Sequence, residues 1–190
     1  MKKIIIITIL GLAPALYSAD VVLFPRSTGY PYYCPVPKTG QTNSSAINDD
    51  GWNSTNTGIA WPTTRFTVQD NTNCVRDNLT GLIWARNANL NSTNTWSNQI
   101  EFCESLDYGG QTDWRLPNRS ELFSLLNVGG FVPTLPAGHP FANVQANFYW
   151  ASSSFNANSL KAWVIGLDYG AVEYVFKTIS TYCAWPVRGP

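Results

Sequence analysis

The 190 residues carry 12 basic and 12 acidic side chains; only 13 % are charged, while 14 % are aromatic, eight of them Trp. That length supports one domain with an appended segment rather than two ordinary domains, and so large an aromatic load excludes a disordered chain. No Lys/Arg cluster follows residue 3, which removes the electrostatic basis for a nucleic-acid partner and leaves a sugar or protein partner open.

Residues 1–19 read as a secretory signal peptide: Lys2 and Lys3 make a positive start, residues 4–12 an apolar run, and Ala13-Pro14-Ala15 or Tyr17-Ser18-Ala19 offers small residues for cleavage. The run is too short for a membrane span and holds no Cys for lipid attachment. Residues 20–64 form a loop-rich N-terminal extension. Pro25, Pro31, Pro35 and Pro37 punctuate its first half, and 43–57 is rich in Asn, Ser, Asp and Gly. It reads either as a decorated loop, tied down through Cys34, or as a linker.

The compact domain spans 65–190. Phe66-Thr67-Val68 alternates as a strand, and 74–76 and 82–85 predict two more around an Asp77-Asn78-Leu79-Thr80-Gly81 turn. Thr95 can cap a helix bearing Trp96, Ile100, Cys103 and Leu106 on one face, stopped by Gly109-Gly110. Asn118 and Glu121 have capping-box spacing before a helix with Leu122, Leu125 and Leu126, stopped by Gly129-Gly130. From Phe148 the pattern turns to strands: 148–152, 162–167 and 171–177, the last two joined by Asp168-Tyr169-Gly170, and 182–187 closing the chain. Helices followed by antiparallel strands give the α+β class.

Four cysteines, Cys34, Cys74, Cys103 and Cys183, suit disulfides in an exported chain, with three connectivities open. No CxxC pair favours zinc, and Asp49-Asp50 is an acidic pair better read as a solvated turn than as a calcium site. His139, the one histidine, stands in a turn without a recognisable nucleophile or orienting acid. No catalytic residue, metal ligand or cofactor is therefore expected. Trp114 reads as core and Arg115 as the partner of a carboxylate or carbonyls. Trp150, Trp163 and Trp185 read as core, whereas Tyr169 at a hairpin tip and Tyr182 near a strand start suit ligand contact. Ser153, Ser154, Asn156 and Asn158 can supply polar contacts from a loop, and Lys161, Glu173 and Lys177 charged ones, with Lys161 and Lys177 as a basic patch. Ala60-Trp61-Pro62 and Ala184-Trp185-Pro186 echo each other as two proline-stopped edge strands.

Four ordered strings carry a resemblance: Asp77-Asn78-Leu79-Thr80-Gly81-Leu82-Ile83-Trp84; Thr112-Asp113-Trp114-Arg115-Leu116-Pro117-Asn118 with Glu121-Leu122; Tyr149-Trp150-Ala151-Ser152-Ser153; and Trp185-Pro186-Val187-Arg188-Gly189. With Pro37-Lys38-Thr39-Gly40-Gln41-Thr42 and Ala60-Trp61-Pro62, the chain resembles the Lcl C-terminal domain family over roughly 36–190. The resemblance implies a C-type-lectin-like fold, with two helices packed on a twisted antiparallel sheet and a long loop region. It implies an exported adhesin, periplasmic, cell-surface or secreted, that recognises a glycan such as a sulfated polysaccharide rather than catalysing a reaction, with a homotrimer as its assembly. Relatives of the fold also act as receptors with a variable protein-binding face, here about 147–186. Formylglycine-generating oxidases share the fold type but need two close cysteines, and the matching region holds Cys183 alone. The family often pairs a cysteine at the position of Pro186 with one on the first helix; the resemblance thus implies Cys103–Cys183, with Cys34–Cys74 as the second bridge. Cys183 lies three residues early, a shift that changes strand face unless a bulge intervenes.

Overall fold

A computed structural model describes residues 36–52, 58–69, 72–130 and 132–189, all within the unit Tyr32–Pro190. The expected signal at 1–19 and Cys34 lie outside the described residues. In chain order the elements are β1 (Phe66–Val68), β2 (Cys74–Asp77), β3 (Ile83–Ala85), α1 (Trp96–Glu104), α2 (Arg119–Ser124), β4 (Phe148–Ser154), β5 (Lys161–Gly166), β6 (Val172–Phe176) and β7 (Val187–Arg188).

The class is α+β, but the one sheet expected is two antiparallel sheets, ordered β1-β2-β3-β7 and β4-β5-β6. The closing segment divides them. Cys183 bridges Tyr149 of β4 in parallel. The chain then crosses over at residues 184–186, where Pro186 has no N–H to donate and only accepts, from Ala85 N at 3.0 Å. Val187 then pairs with Trp84 of β3. Trp185 fills the crossing: its ring is fully buried against Trp84, Phe141 and Tyr149, and its Nε1 donates to Ala85 O at 2.8 Å. The echo in Ala60-Trp61-Pro62 has no such role, because Trp61 is half-buried outside any strand and donates to Lys38 O.

Strand alternation sets the layers, since successive residues face opposite sides. Trp150, Ala162 and Val164 pack with Cys103 of α1, Leu116 and Ala184. Tyr149, Ile165 and Leu167 pack with Leu122 of α2, Trp84, Trp114 and Trp185. The β4-β5-β6 sheet therefore stands between the two helices. The capping box of α2 forms as expected, with Glu121 N donating to Asn118 Oδ1 and Asn118 N to Glu121 Oε2. Thr95 sits at the N-cap of α1 but makes no side-chain cap bond; Asn94 Oδ1 binds Thr95 N and Asn98 Nδ2 instead. Both helices end before the glycine pairs, with C-caps at Ser105 and Leu125, and Leu106, Leu125 and Leu126 pack on the main core.

The same alternation undoes the expected Cys103–Cys183 bridge. Ala184 faces Cys103, so its neighbour Cys183 faces the other cluster, and both thiols are free and buried. Cys74 is buried in the main core; its expected partner Cys34 lies outside the described residues. The described part of the lead-in packs on the domain: Thr39 O accepts from Val128 N, and Lys38 N from its own segment bonds Ile59 O. Gly40 is needed at this junction, with φ +86° and no room for a Cβ against Asn127 and Trp61.

Candidate functional site

The Asp168-Tyr169-Gly170 tip fixes the register of the β5–β6 hairpin: Ile165 lies opposite Val172, Trp163 opposite Tyr174, and Lys161 opposite Phe176. These six side chains share one face. Near the tip the β5 side of this face is buried, with Ile165 in the core beside α2, while Val172 opposite it is exposed. Toward the open end it meets solvent, where Tyr174 and Phe176 are 44 % and 41 % exposed. Phe155, just past β4, lies flat on Tyr174 with centroids 4.0 Å apart and planes at 1°, and Trp163 meets both rings edge-on at 5.4 and 5.7 Å. Two cations frame the cluster. Lys161 Nζ stands 5.0 Å from the Tyr174 centroid and 4.6 Å from that of Phe176, and Arg119 of α2 lies 4.6 Å over Trp163. Such contacts hold a positive charge against aromatic faces while leaving its hydrogen-bond donors free to bind.

Arg119 also lines a groove of about 540 Å³ that continues this face. Its walls are residues 36–39 of the lead-in, Ser120, Phe123 and Ser124 of α2, Leu126 and Val128 of the following loop, and Val172 of β6. The groove is mostly apolar, and Phe123, Val128 and Val172 remain about 40 % exposed. Leu126 and Val128 also flank Gly170, so the hairpin tip with its 83 % exposed Tyr169 borders the groove. A smaller hollow of about 370 Å³ lies between the lead-in and Asn127, beside Trp61.

The residues singled out from sequence do not form one cluster. Lys161 and Tyr169 lie along this outer face, and Ser153 backs it by accepting from Arg119 N through Oγ. Asn156 is exposed in the β4–β5 turn, and Asn158 shapes that turn by accepting from Leu160 N. Lys177, Ser154, Glu173 and Tyr182 belong to the opposite side. Lys177 Nζ sits 4.0 Å over Trp96 of α1 and bonds Ser154 Oγ at 2.7 Å, and Tyr182 packs on Phe148 and Trp150. The expected Lys161/Lys177 patch is therefore not formed: Lys161 faces outward opposite Phe176, and the next residue after Phe176 points to α1. Arg119 takes its place beside Lys161. Trp163, expected in the core, is half-buried on the outer face. Phe155, Trp163, Tyr174, Phe176 and Arg119 were all missed as a group, although the tip and the alternation of β5 and β6 already place Trp163 beside Tyr174.

The remaining marked residues serve the scaffold. Trp114 is buried and donates to Tyr108 O and Gln111 O, while Arg115 grips Glu121 with two bonds of 2.7 and 2.8 Å. His139 lies near the core ring Phe141; burial holds its imidazole below the ordinary range. Asp49 organises its own turn by accepting from the Ser45, Ala46 and Trp52 amides, the first of which does most to lower its carboxyl to about 2. Among the described residues no group of three His, Cys, Asp or Glu side chains is placed to hold a metal, and no helix is long and apolar enough to cross a membrane.

The family model described as the Lcl C-terminal domain matches residues 73–188, a span that takes in both helices and every strand from β2 to β7. No curated protein matches the chain.

Proposed function

The chain belongs to the Lcl C-terminal domain family, and on that premise we propose that it is an exported, adhesin-like protein of C-type-lectin-like fold that binds a glycan through the outer face of β5 and β6. It acts by recognition rather than catalysis, in the periplasm, on the cell surface or beyond the cell. The observation that carries this reading is the Phe155–Trp163–Tyr174 cluster, half-buried at Phe155 and Trp163 and exposed at Tyr174, framed by Lys161 and Arg119. The C–H faces of a sugar ring pack on such aromatic planes, and neighbouring polar groups take its hydroxyls. Two cations on one face suit the sulfates of an acidic polysaccharide. The placement of one helix on each side of the β4-β5-β6 sheet, with the long 125–147 loop beside it, supports the fold reading.

A protein ligand is the second reading, favoured by the apolar walls of the adjoining groove. An oxidase using Cys103 and Cys183 as its close thiols is disfavoured, because these two belong to separate buried clusters. A glycan array probed at low and high salt tests the proposal. Specific hits that disappear with Trp163→Ala and Tyr174→Ala, and that weaken with salt, are expected. A blank array from folded protein would overturn the glycan reading and send the search to protein partners.

A further inference from the structure

The groove beside α2 and the aromatic cluster are one continuous surface. Val172 lines the groove and Tyr174 belongs to the cluster. They share a face of β6, two residues and about 7 Å apart along the strand. Arg119 stands at the junction, because it lines the groove while its guanidinium lies 4.6 Å over Trp163. Among the described residues that guanidinium makes no ion pair and no hydrogen bond, so its donors are open to a ligand. The groove measures about 540 Å³, within the range of small-molecule sites. Its charged lining residues are Lys38 and Arg119, with no carboxylate among them, which favours an anion there.

The rest of the lining is apolar or already engaged. The lead-in wall has committed its backbone: Val36 O accepts from Ile59 N, Lys38 N donates to Ile59 O, Thr39 O accepts from Val128 N, and Lys38 O accepts from Trp61 Nε1. Across the groove, Leu126 N donates to Phe123 O and Ser124 Oγ to Glu121 O. An extended peptide laid in the groove would bring N–H and C=O groups of its own and find few partners for them, at a cost for each one left dry. An alkyl chain brings none. We propose that the groove takes the acyl or alkyl chain of an acidic glycolipid, whose sugar packs on the Trp163–Tyr174 face and whose anionic group meets Arg119. The sugar half rests on the glycan reading above; the chain half rests on the groove alone.

Alkyl β-glucuronides of rising chain length, titrated as monomers into the purified protein by calorimetry, test it. Affinity is expected to rise about two- to fourfold per methylene from hexyl to octyl glucuronide. Trp163→Ala should weaken the methyl, hexyl and octyl compounds by a common factor while the rise with chain length persists. Phe123→Gln, on the exposed wall of the groove, should flatten that rise. Arg119→Gln should remove the preference for octyl glucuronide over uncharged octyl glucoside. Circular dichroism checks that each variant folds. No rise with chain length, total absence of binding included, would overturn the proposal; methyl glucuronide binding that persists in that case, and is lost in Trp163→Ala, would leave the glycan reading standing. Octanoate bound as tightly as octyl glucuronide, with neither affected by Trp163→Ala, would also overturn it and identify a free fatty acid as the occupant.

Discussion

Asp77 performs three tasks with one carboxylate. It closes the β2–β3 turn by accepting from Leu79 N and Thr80 Oγ1, and it neutralises Arg65 at 3.3 Å with both side chains almost wholly buried. Arg65 in turn lies under Trp61 and donates to Ser124 O, so one buried cation ties the lead-in, the first sheet and the end of α2 together. Removing the carboxylate strands that cation, and Asp77→Ala should cost about 3–5 kcal/mol in a denaturant titration. A loss below about 1 kcal/mol would mean the pair is not structural. None of this was legible from sequence beyond the turn itself, because the partners of Arg65 lie 12 and 59 residues away. Buried Gln99 is a similar case: it joins Ser92 O to Tyr182 O on a helix face that apolar spacing alone describes as Trp96, Ile100 and Cys103. The cysteines give a second residue-scale prediction. Burial, and after it the charge of Glu104, pushes the Cys103 thiol up to about 12, and burial pushes Cys183 to about 11. Both should resist alkylation in the folded state and react on unfolding. Because the folded state favours the protonated thiols, their contribution is intact below the ordinary value of 9.0 and is lost as pH rises through the folded values. The Cys103→Ala/Cys183→Ala variant should therefore show a flatter alkaline stability profile than the wild type, and an equally steep one would assign the alkaline loss to other groups.

At the scale of elements, α2 is held by the paired work of Asn118, Glu121 and Arg115. Burial raises the Glu121 carboxyl, but the Arg115 hydrogen bonds and the Asn118 amide outweigh it and hold the net value below the ordinary carboxylate range. A lowered folded value means stability that is present above the ordinary range and lost as pH falls through the folded value. Glu121→Gln should consequently flatten the acid limb of the stability curve and lower stability at neutral pH, by about 1 kcal/mol given the partial exposure of the pair; an unchanged acid limb would contradict this. The helix and its capping box were readable because every signal lies within four residues. The strands were readable from alternation and the hairpin from its tip. The partition into two sheets was not, because it depends on where residues 184–186 cross, and a proline next to a buried Trp reads equally well as a strand end. The disulfide expected from family habit failed for a reason the sequence did contain: an odd offset in an extended segment puts Cys183 on the face away from Cys103.

At the scale of the molecule, the chain brings distant segments together to make one surface. Lead-in residues 36–39, helix α2 and the last hairpin each supply a wall of the groove, and Arg119 joins the groove to the aromatic cluster. Sequence pointed to the late strands and their loops, but it could not sort that region by face. Lys161 and Lys177 flank the hairpin in sequence yet lie on opposite sides of the sheet, and Phe155 reaches Tyr174 only because the register shifts by an irregularity between Trp150 and Ser154. The central claim is that the outer face of β5 and β6 is the recognition surface. The most direct test is nuclear magnetic resonance mapping of the labelled protein during titration with a sulfated oligosaccharide. The account predicts saturable shifts at Phe155, Lys161, Trp163, Tyr174 and Arg119, with little change at Trp96, Tyr182 and Lys177 on the α1 side. Saturable shifts centred on the α1 side, or none at all across the outer face, would contradict it.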